Sequence, residues 1–356
     1  MKTETLSGHN RDIQQFDVAT GYLKRSRALT VLAVLCLMLV AASIIALAIG
    51  SESIPAGGII TAILAKLSGS RTDLTREQEV IIFSLRLPRI ALAIGVGAAL
   101  AMAGAAFQAL LRNPLADPYI LGVSGGAALG TILAIIFASS LSFGRPLFGF
   151  MGAGVATLLV YAMGRRSDDP SKLVLAGIIV STFLSSIIVL LTALADNTGL
   201  RNITMWLLGD LSSGTGEGLL YIFAAVSISV VVLMTQARSL NLMMIGERDA
   251  FSLGVDTSRV RWITFLTASL LTGAAVSAGG AIGYVGLVVP HLIRLSSGTD
   301  NRLVIPASAL AGALLVMLSD TIARTVLAPR ELPAGAITAL IGAPVFIYLL
   351  LRSRLS

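Results

Sequence analysis

Apolar residues run along this chain in long blocks, and polar residues gather in the gaps between them. Blocks near 29–50, 90–111, 119–141, 146–164, 173–194, 217–236, 262–280, 282–297, 304–324 and 335–351 approach the ~20 apolar residues a helix needs to cross a bilayer. Backbone groups in lipid have no water to bond, so each block is predicted as a helix. Gly279, Gly280, Gly283 and Gly286 interrupt the join between the seventh and eighth. The pattern predicts an all-α polytopic membrane protein of about ten transmembrane helices. A flexible tail over 1–28 is expected before a transmembrane domain over 29–352, with a short end over 353–356. Between the first two blocks, residues 54–67 have helical spacing and are expected to lie along the interface.

One gap differs from the rest. Residues 236–261 carry Arg238, Glu247, Arg248, Asp249, Asp256, Arg259 and Arg261. The same stretch keeps Leu242, Ile245, Phe251, Leu253 and Val255 at helical spacing. That combination predicts two short amphipathic helices, broken near Gly246 and Gly254. Such an element must lie outside the hydrocarbon. It is either a docking platform for a soluble partner or a solvated connecting loop.

Small residues mark the centre of the bundle. Ala91, Gly95, Ala99 and Ala103 form a stripe at four-residue spacing, with Ala93, Gly97, Ala101 and Ala105 beside it. Gly122, Gly126 and Gly130 repeat the device in the next block. Small side chains let helix backbones approach closely where no hydrophobic effect drives association. A faint repeat relates Gly97-Ala-Ala and Gly104-Ala to Gly273-Ala-Ala and Gly280-Ala, with the two copies expected to run in opposite directions, as in inverted-repeat transporters.

The chain has 356 residues, 55% of them hydrophobic and 13% charged, against about 25% charged in a soluble domain. The ten blocks leave no room for a separate catalytic domain. The net charge of +7 is assigned to the positive-inside bias rather than to nucleic-acid binding. With both termini cytoplasmic, the inside segments 1–28, 112–118, 165–172, 237–261, 294–303 and 352–356 hold 17 of the 26 Lys and Arg residues. The single cysteine, Cys36, can form neither an internal disulfide nor a cysteine-based metal site. No convincing cleavage site follows the first block, which is expected to be a retained span.

Motifs for covalent chemistry are missing or out of context. Gly122-Val-Ser124-Gly-Gly126 fits a nucleophile elbow, but that motif needs a preceding strand and a histidine base. Here it opens a membrane helix, and the chain has only His9 and His291. No phosphate-binding G-x-x-x-x-G-K-[ST] occurs, and Gly95-Val-Gly97 lacks a third glycine and a βαβ unit. No cofactor is expected. Charges near the membrane are more informative, because they are costly there unless paired or wet. Arg86, Arg89, Arg324 and Arg330 gather at the outer face, against the positive-inside trend. They suit contact with carboxylates of an outside partner, or local pairing, since Asp320 and Arg324 are four apart on one helix. His291, after Pro290, is read as a buried structural histidine.

Six motifs then fall in order: RLPR at 86–89, NPLADP at 113–118, LGVSGG at 121–126, GE-x-x-A-x-x-LG at 246–254, GYVGLVVPH at 283–291, and ELPAG with GAPVF within 331–346. Across residues 29–352 the chain resembles the membrane subunit of FecCD/BtuC-type ABC importers, which carry ferric siderophores, haem or cobalamin. The resemblance implies a homodimer or close heterodimer in the inner membrane and two separate cytoplasmic ATPase subunits. It also implies a substrate-binding protein outside and a metal chelate as cargo.

It further implies that Gly246, Glu247, Ala250, Leu253 and Gly254, within the loop 237–261, form the helices that couple to the ATPase. Arg86, Arg89 and Arg324 match positions that meet acidic lobes of the binding protein. Pro170 and Ser171, in RRSDDPSK at 165–172, fall where the family narrows the pathway on the cytoplasmic side. Two aspartates and Pro170 occupy a stretch that in the family is often small and hydroxylated. ATP would be used by the partner subunit alone, and rigid-body rocking would alternate the access. The competing class is an ion-coupled secondary transporter working without an ATPase. It would need intramembrane acidic residues, for which Asp320 and Asp210 are the candidates.

Overall fold

The computed structural model describes residues 25–353 apart from 51, 71, 73, 138–140, 142–143, 165–169, 213–215 and 329. The described residues form helices in this order: α1 Arg25–Ala48, α2 Ala56–Ser68, α3 Arg76–Val80, α4 Leu87–Leu111, α5 Val123–Phe137, α6 Gly144–Gly164 and α7 Pro170–Leu194. Then follow α8 Asn197–Leu207, α9 Gly216–Ile245, α10 Glu247–Ser252, α11 Thr257–Gly279, α12 Val285–Ser297, α13 Asn301–Thr325 and α14 Ala334–Ser353. Seven helices are long and apolar enough to cross a membrane, and shorter apolar helices include Val123–Phe137, Val285–Ser297 and Ala334–Leu349. Those seven and three coincide with the ten predicted blocks. The expected interfacial helix is α2, closed by Gly69 in the left-handed region.

Helix α4 is the centre. It packs on α13, α11, α9 and α12, and from Val96 to Leu111 every residue is buried. Alanine and glycine make this possible. A Cβ on Gly97 would strike the carbonyl of Gly312 on α13, and one on Gly104 would strike that of Gly286 on α12. These are backbone-to-backbone contacts, the arrangement by which small residues let membrane helices associate. Helices α5 and α6 pair in the same way, with Gly126 against Gly152, and α7 packs on both. The two copies of the faint repeat differ in structure. Gly104 lies within α4, whereas Gly280 (φ 74°) ends α11.

Of the boundaries that differ from expectation, three have a clear local reason. The second span begins at Arg76 rather than near residue 90, giving a 36-residue helix. A capping box between Thr75 and Gln78 starts it. A π-helical turn over Ile81–Arg86 then carries it to Pro88, with the Leu87 N–H donating to the Ile82 carbonyl. The third span begins at Val123 rather than 119. Arg112 (φ 49°) ends α4 and Gly122 (φ 79°) closes the following turns, while Asn113 and Asp117 side chains accept the N–H groups of Leu115 and Tyr119. This irregular stretch folds back beside α12. A Cβ on Gly286 would sit 3.0 Å from both Pro118 and the Leu100 carbonyl, level with the middle of α4. Non-helical backbone at such depth is tolerated only when protein covers it. The eighth span likewise begins at Val285, after Tyr284 in the left-handed region.

Helix α8 was not expected from the sequence. Asp196 caps it, accepting the Gly199 N–H at 2.9 Å, and Ile203 and Trp206 are its buried face. It lies over the break at Gly280, where a Cβ would strike the Trp206 carbonyl.

Candidate functional site

The predicted loop at 237–261 is more helical than its sequence suggests. Helix α9 runs unbroken to Ile245, so only one separate short helix, α10, stands between the breaks at Gly246 and Gly254. Its end is a Schellman motif: the Gly254 N–H donates to the Phe251 carbonyl at 2.9 Å and the Val255 N–H to that of Ala250 at 3.0 Å. Gly254 takes φ 85° there, a region that favours glycine. Ala250 is fully buried, so a small residue lets α10 lie flat on the helix ends beneath it. Asp256 then caps α11 by accepting the Arg259 N–H at 3.0 Å. Glu247 forms an ion pair with Arg261 that ties α10 to α11.

The apolar residues of this stretch divide between two faces. Leu242 and Val255 pack on the core, whereas Ile245, Phe251 and Leu253 point outward, with Phe251 71% exposed. Exposed apolar side chains rimmed by charge mark an interaction surface. An open groove of about 840 Å³ runs beside them, lined by Arg112, Gly246, Glu247, Arg248, Asp249, Phe251, Ser252 and Thr257. Arg112 ends α4, so the groove joins the short helix to the central one. Of the five residues expected to couple, Leu253 faces outward and Glu247 edges the groove. Ala250 and the two glycines shape the support. Phe251 was missed as a contact residue, because helical spacing alone does not say which side of a short helix faces protein.

At the opposite end of α4 the three expected docking arginines are engaged within the chain. Arg86 is only 5% exposed and donates to the Leu47 carbonyl at 2.6 Å and to that of Glu52, gripping the end of α1. Arg89 holds Asp320, with Nε 3.0 Å from each carboxylate oxygen and Nη2 2.9 Å from Oδ1. It also meets the exposed Glu331 at 2.7 Å. Asp320 itself is 1% exposed. Arg324 donates to the Ala46 carbonyl, so the alternative of local Asp320–Arg324 pairing gives way to the Arg89–Asp320 bridge between α4 and α13.

Residues 165–169 of the expected cytoplasmic narrowing lie outside the described residues, as do the side chains of Pro170 and Ser171, whose backbone opens α7. Ser124 is buried in the first turn of α5, and among the described residues its hydroxyl has no hydrogen-bond partner and no base holds it as a nucleophile.

A family model described as the FecCD transport family matches residues 37–352. The hemin transport system permease HmuU of Yersinia pestis is 39% identical over 277 residues, covering 76% of this chain and 83% of that protein. The vitamin B12 import system permease BtuC of Vibrio cholerae is 41% identical over 283 residues, covering 78% and 84%. A solved structure of a metal-chelate type ABC transporter in an inward-facing conformation matches with a TM-score of 0.80 and 33% identity, covering 91% of this chain and 99% of that one.

Proposed function

The chain belongs to the FecCD transport family and is a permease subunit of an ABC importer, with ATP hydrolysed on separate ATPase subunits; we propose that its cargo is a metal chelate: ferric siderophore, haem or cobalamin. The observation that carries the coupling is the outward presentation of Phe251 on α10 and Leu253 at its end, beside a groove that reaches α4. An ATPase subunit docks on that surface against Phe251, Leu253 and Glu247, with Gly246, Ala250 and Gly254 shaping the support beneath them. A second copy of the chain completes the pathway. The membrane is the inner one, with both termini cytoplasmic, since that orientation puts 17 of 26 cationic residues inside.

Outside, a substrate-binding protein docks over Arg89, Arg324 and Arg86. The cationic cluster supports this, and so does the exposure of Glu331, whose place on Arg89 an acidic residue of the partner can take while Asp320 keeps the guanidinium in position. Pro170 and Ser171 stand at the cytoplasmic gate. The ion-coupled alternative loses Asp320 as a candidate, because that carboxylate is already held by Arg89.

The test is uptake into vesicles holding the permease, its ATPase and the binding protein, with labelled ferric siderophore, haem and cobalamin, each with and without internal ATP. ATP-dependent accumulation of one of them is expected. Uptake that follows an ion gradient and ignores ATP refutes the coupling. Failure on all three cargoes, with ATPase activity still stimulated by the binding protein, refutes the chelate assignment.

A further inference from the structure

Helix α10 is six residues long, and so short an element has little rigidity of its own. A force on it reaches the core only through what anchors the neighbouring helix ends. On the α11 side the anchor is the Glu247–Arg261 pair. On the α9 side it is a part-buried polar chain, centred on the buried Asn301, that no motif of the sequence announces. Asn241 lies about one turn before the end of α9. Its Oδ1 accepts both the backbone N–H and the Nδ2 of Asn301, each at 2.8 Å, and its Nδ2 donates to Asp300 Oδ1 at 2.8 Å. Asn301 is fully buried at the start of α13. Its own Oδ1 accepts from Arg294 Nη2 at 3.0 Å, and the same nitrogen donates to the Ala105 carbonyl of α4 at 3.1 Å. Arg294 Nη1 donates to the Thr299 carbonyl at 3.2 Å and lies 3.8 Å from Met244 Sδ on α9.

Each of those contacts to Arg294 is neutral. A half-buried cation without a carboxylate is costly, and such a charge is weak evidence for stability. What the guanidinium supplies is geometry. Its planar fork holds donors at fixed angles, which a lysine ammonium does not. Through that fork α9, α12 and α13 are bound to the backbone of α4. A second grip acts at the other end of α12. Pro290 has no N–H to give the Gly286 carbonyl, and Gln108 of α4 supplies donors instead, 3.4 Å from that oxygen and 3.0 Å from Leu287 O.

We infer that Arg294, with Asn301 and Asn241, is a positioning node that makes the end of α9, and so the coupling helix, one rigid body with α4, so that the ATPase's movement is delivered to the centre of the bundle. This rests on the reading that α10 meets the ATPase. The experiment uses the full complex in nanodiscs, in a Cys36→Ser background, with spin labels at Arg238→Cys, exposed near the end of α9 and outside the docking groove, and Val326→Cys at the far end of α13. Uptake per ATP is measured in vesicles with the same three labelled cargoes.

With the node intact, the distance between the labels is expected to stay narrow and unchanged between nucleotide-free and ATP-bound states. Arg294→Lys and Asn241→Ala are each expected to broaden it and to lower uptake per ATP about tenfold, within the usual range of coupling between sites. The double variant should be no worse than either alone, since both cut one path. A wild-type distance that shifts with ATP, variant distances that match wild type, or additive losses each overturn the node. If Arg294→Lys does not insert, Asn241→Ala decides, because it leaves the Ala105, Asn301 and Thr299 contacts of Arg294 in place. Loss of the docking reading itself is seen separately, as an ATPase that still co-purifies with Phe251→Asp.

Discussion

Removing Arg89 is the sharpest test of how the outer end is held. Arg89→Met keeps the length of the side chain and deletes its charge, leaving Asp320 at 1% exposure with its three close nitrogen contacts gone. The orphaned carboxyl then has two options. It can remain charged and buried, for which breaking one partner of a buried pair typically costs about 3–5 kcal/mol. It can instead take up a proton. At pH 7, about three units above an ordinary aspartate and at about 1.36 kcal/mol per unit, that costs about 4 kcal/mol. Both routes give a similar penalty, so about 4 kcal/mol is expected in reversible SDS unfolding of the purified permease. Arg89→Met with Asp320→Leu removes both charges, and most of the stability should return. A single variant as stable as wild type at pH 7, or a double variant no better than the single, would refute the bridge as the structural tie between α4 and α13.

Phe251→Asp should release the ATPase, because burying such a side chain contributes about 1.5–3 kcal/mol; co-purification is expected to fall about tenfold or more while the permease itself stays folded. Gly254→Ala forces a Cβ into φ 85°, at a cost of about 1–2 kcal/mol, and should loosen α10 so that ATPase affinity drops while global unfolding barely moves; unchanged affinity counts against the Schellman turn as the support. Gly104→Leu must push the Gly286 carbonyl away and is expected to give no monodisperse protein by size exclusion, whereas Gly154→Leu, with nothing within 4 Å of its would-be Cβ, should behave as wild type. Equal behaviour of the two leucine variants would refute the close backbone packing of α4.

The ten-span pattern is legible because a bilayer demands ~20 apolar residues per crossing helix whatever the fold. The ends of the spans are not, since residues 119–122 and 282–284 are apolar enough to pass for membrane helix yet sit in turns covered by protein. Hydropathy records burial without saying what does the burying. Helix α8 was readable only through Asp196 ahead of an apolar period, a weak signal in a short polar stretch. The breaks at Gly246 and Gly254 were visible because glycine interrupts a helical pattern, and Gly254, at φ 85°, is the left-handed cap. The division of Phe251 from Val255 was not, because it depends on which helices lie beneath. Pairings between distant residues are the hardest to read. Arg89 and Asp320 are 231 positions apart, and Arg294, Asn301 and Asn241 drew no notice at the margins of apolar blocks.

The same packing constrains how the molecule can move. At Gly97 and Gly104, helix α4 meets α13 and α12 backbone to backbone, with no side chain at those points to take up slack. Contacts of that kind have few alternative arrangements, since sliding by a fraction of a turn brings a Cβ against a carbonyl. The group around α4 therefore moves as one body. Helices α5, α6 and α7 pack on one another and meet that body mainly through α11. A displacement delivered at α10, which is joined directly to α9 and α11, must then either carry the α4 body whole or open the seam along α11. On the two sides of that seam Thr131 on α5 and Ser269 on α11 are buried, and their hydroxyls find no hydrogen-bond partner among the described residues. Such groups stabilise the closed packing little and lose little when it parts, which is the property expected where two bodies separate in each cycle.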